Sequence, residues 1–127
     1  MTTTWAAADL ALLGAAAELE IAVERADGTR RPWVPIWVVC ADGQVYVRTW
    51  YRRGTGWFGA ALRTRRAAIR VPGLAADVGV ADVGDGSAQI RDAVDDAYRR
   101  KYGAGSGSMV TPSAVATTLR LDPAQVP

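Results

Sequence analysis

Two Asp-Gly pairs, Asp27-Gly28 and Asp42-Gly43, sit between stretches of alternating or continuous apolar residues. Asp-Gly between apolar runs is a strong local signal for a tight reversal of a β-hairpin. Before the first pair, Leu19, Ile21 and Val23 alternate with Glu18, Glu20, Ala22 and Glu24, the pattern of a half-buried strand. Between the pairs, about Arg31 to Cys40 reads as a second strand, apolar on both faces, with Pro32 and Pro35 in its entry half. After the second pair, Gln44 to Trp50 reads as a third, with Tyr46, Arg48 and Trp50 on one face. The chain is therefore committed early to an antiparallel meander.

The remainder adds short strands and helices. Trp5 to Leu13 reads as a helix capped by Thr4 and ending near Gly14, and Trp57 to Arg63 as a second. Arg66 to Val71 and Asp77 to Ala81 read as strands. Ala88 to Tyr102 is the clearest helix: Ile90, Val94, Ala97 and Tyr98 share a face, with Asp92, Asp95, Asp96, Arg99 and Arg100 turned to water. Gly103 to Ser108 is expected to be a mobile loop, and Val115 to Leu121 a last strand. The expected fold is mainly β with flanking helices, a six-stranded antiparallel barrel in one domain. Residues 1–14 form its N-terminal helix, 18–122 the barrel and 123–127 a tail. At 127 residues, two separate cores are not expected.

Absent residue types limit the chemistry. There is no histidine, and Cys40 is the single cysteine. Catalysis by a Ser-His-Asp or Cys-His arrangement is excluded, and no metal site is expected. The start, Met1-Thr2-Thr3-Thr4-Trp5, lacks a basic leader region, and no apolar run is long enough for a membrane span. A cytoplasmic location with no membrane partner is expected.

Net charge is only +2, but no acidic residue lies between Asp42 and Asp77, an interval holding Arg48, Arg52, Arg53, Arg63, Arg65, Arg66 and Arg70. Arginine forks suit phosphate or carboxylate, so an anionic ligand is favoured. Four of the five tryptophans, Trp33, Trp37, Trp50 and Trp57, fall in or beside the same interval. Aromatic rings next to arginines can hold a flat anionic molecule. Nucleic acid would use similar residues, but a single lysine and the low net charge argue against it.

Pro35-Ile36-Trp37-Val38-Val39, then Asp42-Gly43-Gln44-Val45-Tyr46-Val47-Arg48, then a Gly-containing loop and Trp57-Phe58-Gly59-Ala60-Ala61-Leu62, form a set. That set resembles the FMN-binding split-barrel superfamily (pyridoxamine phosphate oxidase-like), in particular small bacterial relatives of the deazaflavin-dependent nitroreductases. The resemblance implies a split barrel, commonly a homodimer, that binds FMN or deazaflavin. It places Pro35 and Ile36 near the ring system. Phosphate contacts fall on Arg48, Thr49, Arg52, Arg53 and the backbone at Gly56-Trp57, with Trp50 beside them. Trp33 and Trp37 are candidate substrate contacts, and Tyr51 a candidate proton donor. The function implied is hydride transfer to a small electron-poor organic substrate. The alternative is a barrel without cofactor that binds, cyclises or isomerises a small hydrophobic metabolite. An arginine among aromatics on a strand is costly without an anion beside it, which makes Arg48 the favoured anchor. Replacing it by Ala is expected to weaken cofactor affinity at least about tenfold.

Overall fold

The computed structural model describes residues 5–49, 56–84 and 86–124. Seven antiparallel strands form one curled sheet, a half-barrel: β1 (Leu19–Val23), β2 (Val34–Ile36), β3 (Val39–Ala41), β4 (Gln44–Val47), β5 (Arg66–Val71), β6 (Leu74–Asp82) and β7 (Leu119–Pro123). Their order across the sheet is β2-β1-β5-β6-β7-β4-β3. The helices are α1 (Ala7–Ala15), α2 (Gly56–Thr64), α3 (Ala88–Tyr102) and the single turn α4 (Pro112–Val115).

The count is seven strands rather than six because the expected second strand is broken. Its first part, β2, pairs with β1, and its second, β3, pairs with β4. Trp37 and Val38 lie between them, outside any ladder. Val38 is fully buried there, and α3 serves its backbone: Val38 N–H donates to the Tyr102 hydroxyl at 3.2 Å, and Lys101 Nζ donates to Val38 O at 2.7 Å. β2 and β3 are the two edges of the sheet, yet only two residues separate them. The edges are therefore within about 11 Å of each other, which obliges the sheet to curl.

Other boundaries moved for local reasons. α1 begins at Ala7, and Trp5 is left outside it, buried, with its indole N–H donating to Leu121 O at 2.9 Å. The expected cap, Thr4, lies outside the described residues. The glycine-rich segment is not a loose loop: Gly103–Met109 is 3₁₀ helix with Ser106 and Met109 buried. β7 starts four residues later than expected, because Thr111 caps α4 by accepting from Ala114 N–H at 3.2 Å and turns the chain through Val115. β7 also runs into Pro123, which the sequence pattern assigns to a tail. At the β3–β4 hairpin, Ala41 faces Gln44 and both turn residues have positive φ, 52° for Asp42 and 76° for Gly43. That is the tight reversal the Asp-Gly pair signals.

The apolar residues divide into two layers. Leu19, Ile21, Val23, Val45, Val47, Phe58, Ile69, Val78, Leu119 and Leu121 fill the concave side of the sheet. Val39, Ala41 and Tyr46, on the opposite face of β3 and β4, pack against Val94, Ala97 and Tyr98 of α3. Strand alternation sends Arg48, two residues after Tyr46, toward α3 as well.

Candidate functional site

The end of β4, the middle of α3 and the approach to β7 meet at Arg48, which is 1% exposed. Its Nε donates to Thr118 Oγ1 at 2.8 Å, and its Nη1 to Met109 O at 2.8 Å and Asp95 Oδ1 at 2.5 Å. Its guanidinium carbon stands 5.5 Å from the centre of the Tyr98 ring. The anion that an arginine in this position requires is thus supplied by the protein, from a residue 47 positions away. Asp95 is accordingly not one of the water-facing acids of α3; only 13% of its side chain is exposed. Two polar atoms here, Arg48 Nη2 and the Tyr98 hydroxyl, are buried without a hydrogen-bond partner among the described residues.

Thr49, the next residue, is buried and clamped to the other wall. Its N–H donates to Thr117 Oγ1 at 3.0 Å, and Thr117 Oγ1 donates to Thr49 O at 2.9 Å. Across the gap in the described residues, α2 opens at Gly56, which is exposed, has φ 62° and has open space where a side chain would stand. The first turn of α2 contains no acid. The positive end of the helix dipole favours an anion there. Trp57 is half-buried, packs on the concave core and meets Phe58 edge-on at 5.7 Å between ring centres.

The structure joins Trp37 to this region and separates Trp33 from it. Trp37 stacks on Tyr102, 4.0 Å between ring centres and 4° from parallel. Tyr102 lies 6.1 Å from Tyr98, which faces Arg48, so an aromatic row runs along α3. Trp33 instead lies under the Arg70 guanidinium at 4.0 Å, and Arg70 also pairs with Glu20 at 3.0 Å. On β2, Pro35 is exposed and Ile36 half-buried. Trp50, Tyr51, Arg52 and Arg53 lie outside the described residues.

Asp95, Tyr98, Thr117, Thr118, Lys101 and Tyr102 do most of the positioning, and the sequence pattern marks none of them as site residues. The one available signal is that Asp95 directly follows the buried Val94, at the margin of the apolar stripe of α3.

Burial sets the titration of this layer. It raises the pKa of Tyr46, Tyr98, Tyr102 and Cys40 above their ordinary values, 10.0 for the phenols and 9.0 for the thiol. Lys101 is shifted down by the same cause. A raised folded-state pKa means stability that is complete below the ordinary value and lost as pH rises through the folded one. Lys101 opposes that trend, but Tyr98, the fully buried phenol with the largest shift, outweighs it. With no histidine to titrate, folding stability is expected to stay level from about pH 6 to 8 and to fall above about pH 9. Urea unfolding at pH 7, 8, 9 and 10 checks this; a maximum at pH 10 would refute it.

Comparison with protein families matches residues 9–121 to uncharacterized proteins conserved in bacteria, DUF2255. The chain belongs to this family. No curated protein matches the DUF2255 chain. Solved structures share its fold across nearly its whole length. One is a conserved hypothetical protein from Mycobacterium tuberculosis, 11% identical, covering 98% of this chain and 83% of that one, with a TM-score of 0.61. Another is described as a candidate 5-nitroimidazole antibiotic resistance protein from Bacteroides thetaiotaomicron, 13% identical, covering 97% and 82%, with a TM-score of 0.64. A third is a FAD-binding protein from Mesorhizobium loti, 18% identical, covering 96% and 92%, with a TM-score of 0.62. At these identities the likeness is one of fold. Among the described residues of this DUF2255 chain, no helix is long and apolar enough to cross a membrane.

Proposed function

We propose that the protein is a flavin- or deazaflavin-dependent oxidoreductase acting on a small electron-poor organic substrate in the cytoplasm. The observation that carries this reading is the shared fold with a FAD-binding protein and a protein named for 5-nitroimidazole resistance. The local geometry fits a phosphate-bearing cofactor at one point, the acid-free first turn of α2 at Gly56, where open space stands in place of a side chain. There the backbone of Gly56 and Trp57 would take the phosphate, with Arg52 and Arg53 beside it, and Pro35 and Ile36 would border the ring. The bound cofactor supplies the hydride for a C=C, C=O or nitro group. Tyr51 would deliver the proton. Thr49 holds the end of β4 against Thr117, and Arg48, being buried, acts by fixing Asp95 and Met109 rather than by touching phosphate. We also propose a homodimer and no nucleic-acid partner.

A visible spectrum of the purified protein, followed by fluorescence titration with FMN and with deazaflavin, tests the reading. Micromolar quenching by one of them is expected. Gly56→Asp places a negative charge at the helix entrance in a backbone conformation that Asp tolerates. It is expected to weaken cofactor binding at least about tenfold, with only a modest drop in the unfolding midpoint from the positive φ. One observation favours the alternative of a barrel without cofactor: the charge of Arg48 is already matched by Asp95. A colourless protein that ignores both cofactors would select that alternative.

A further inference from the structure

A second concave site lies at the other end of β7. From Thr118, which receives Arg48, to Asp122 is about 13 Å along the strand. A cleft of about 560 Å3 opens there, with a floor of Ala67, Ala68, Val78 and Gly79 from β5 and β6. Gly79 has open space where a side chain would stand, so the backbone of β6 is bare to the cleft. Three arginines and three carboxylates line its rim. Two of the carboxylates are already used: Asp77 pairs with Arg30 at 3.2 Å, and Asp122 with Arg120 at 2.9 Å. Arg65, Arg66 and Glu24 remain without an ion pair among the described residues.

Arg65 is the informative one. It follows the last residue of α2 with φ 61°, the left-handed position that closes helices and that glycine fills at least cost. Its Nε donates to Leu62 O at 2.9 Å, which ties down the side chain and leaves both terminal nitrogens without a hydrogen bond among the described residues. Arg66 is exposed beside it at the start of β5, and its backbone carbonyl accepts from Glu24 N–H at 2.9 Å. A strained backbone position holding a long cation, next to a second cation, on the rim of a cleft with a bare backbone floor, is arranged for an oxyanion.

We propose that this cleft is a second ligand site, taking a small organic oxyanion, phosphate or carboxylate, between Arg65 and Arg66. Glu24 would accept from a hydroxyl or ammonium group of the same ligand. The proposal is independent of the cofactor reading, since none of these residues belongs to the α2 N-terminus.

Calorimetric titration at low ionic strength with inorganic phosphate and, separately, with succinate tests it. Saturable one-site binding of at least one probe is expected, and the tighter probe names the oxyanion. Arg65→Gly and Arg66→Gln are each expected to weaken binding at least about tenfold. Glycine suits the left-handed position, so Arg65→Gly is expected to unfold at the same temperature as the parent or higher. Arg66→Gln, on an exposed strand position, supplies the same readout should Arg65→Gly disturb the helix end. No saturable binding of either probe, or undiminished affinity in both variants, overturns the proposal. Loss of self-association in Arg65→Gly without loss of anion affinity would assign the cleft to a second copy of the chain and also overturn it.

Discussion

Arg48→Ala is expected to lower folding stability by about 3–5 kcal/mol, the cost of breaking a buried ion pair from one side. The substitution removes the bonds to Thr118, Met109 and Asp95 together. It also leaves the Asp95 carboxylate, only 13% exposed, with no partner in place of the guanidinium. Lysine does not repair the site, because a point charge on a flexible stem cannot serve three acceptors in a fixed fork. Removing both charges is gentler: Arg48→Met with Asp95→Leu is expected to recover more than half of the loss, since an apolar pair avoids the desolvation of two ions. Urea midpoints at constant m-value measure all of these. A loss below about 1 kcal/mol for Arg48→Ala would show that the network contributes little to folding. A tenfold drop in cofactor affinity in this variant would therefore reflect an altered fold unless the fraction folded is measured beside it.

Trp37→Ala is expected to cost about 2–3 kcal/mol, less than a fully buried Trp because the ring is half-exposed. The ring stacks on Tyr102 and would lie 3.7 Å from a Cβ at Gly105, so one face holds α3 and its far edge holds the 3₁₀ segment. Losing it frees the Tyr102 ring, whose hydroxyl donates to Ala17 O at 2.8 Å and accepts from Val38 N–H. Hydrogen exchange distinguishes this from a uniform loss of stability: protection should fall first at Val38 and along Gly103–Met109. Trp37→Phe, which keeps a stacking ring, is expected to retain most of the stability. Equal losses in the two variants would mean that the outer edge of the indole against Gly105, not stacking, sets the cost.

What the sequence made legible was local. β5 and α3 have the boundaries that their apolar spacing predicts, and the Asp42-Gly43 turn is as its residues require. The face shared by Tyr46 and Arg48 also follows from simple alternation. The misreadings all turn on partners distant in the chain. The stretch from Arg31 to Cys40 is apolar throughout and reads as one strand; only the side chains of Lys101 and Tyr102 reveal the break at Trp37-Val38. The glycines after α3 signal mobility by composition, but Arg48 holds Met109 O and Trp37 covers Gly105. Nothing near Arg48 in sequence is acidic, which points to a ligand as its anion, whereas the Asp95 it pairs with stands 47 positions away. The aromatic-arginine cluster was legible as a composition, whereas its division into a Trp37–Arg48 row and a Trp33–Arg70 stack depends on the curl of the sheet.

The two-residue link between β2 and β3 also bears on how the chain folds. The Val38 backbone gains its hydrogen bonds only when α3 has delivered Lys101 and Tyr102. Each of these contacts joins segments far apart in sequence, so the loop-closure entropy falls due before the link gains its own bonds. The link is thus a late fastening of a high-contact-order fold. A circular permutant with new termini at Trp37 and Val38 would lose that fastening and present two three-residue edges, one on each side, to any neighbouring strand.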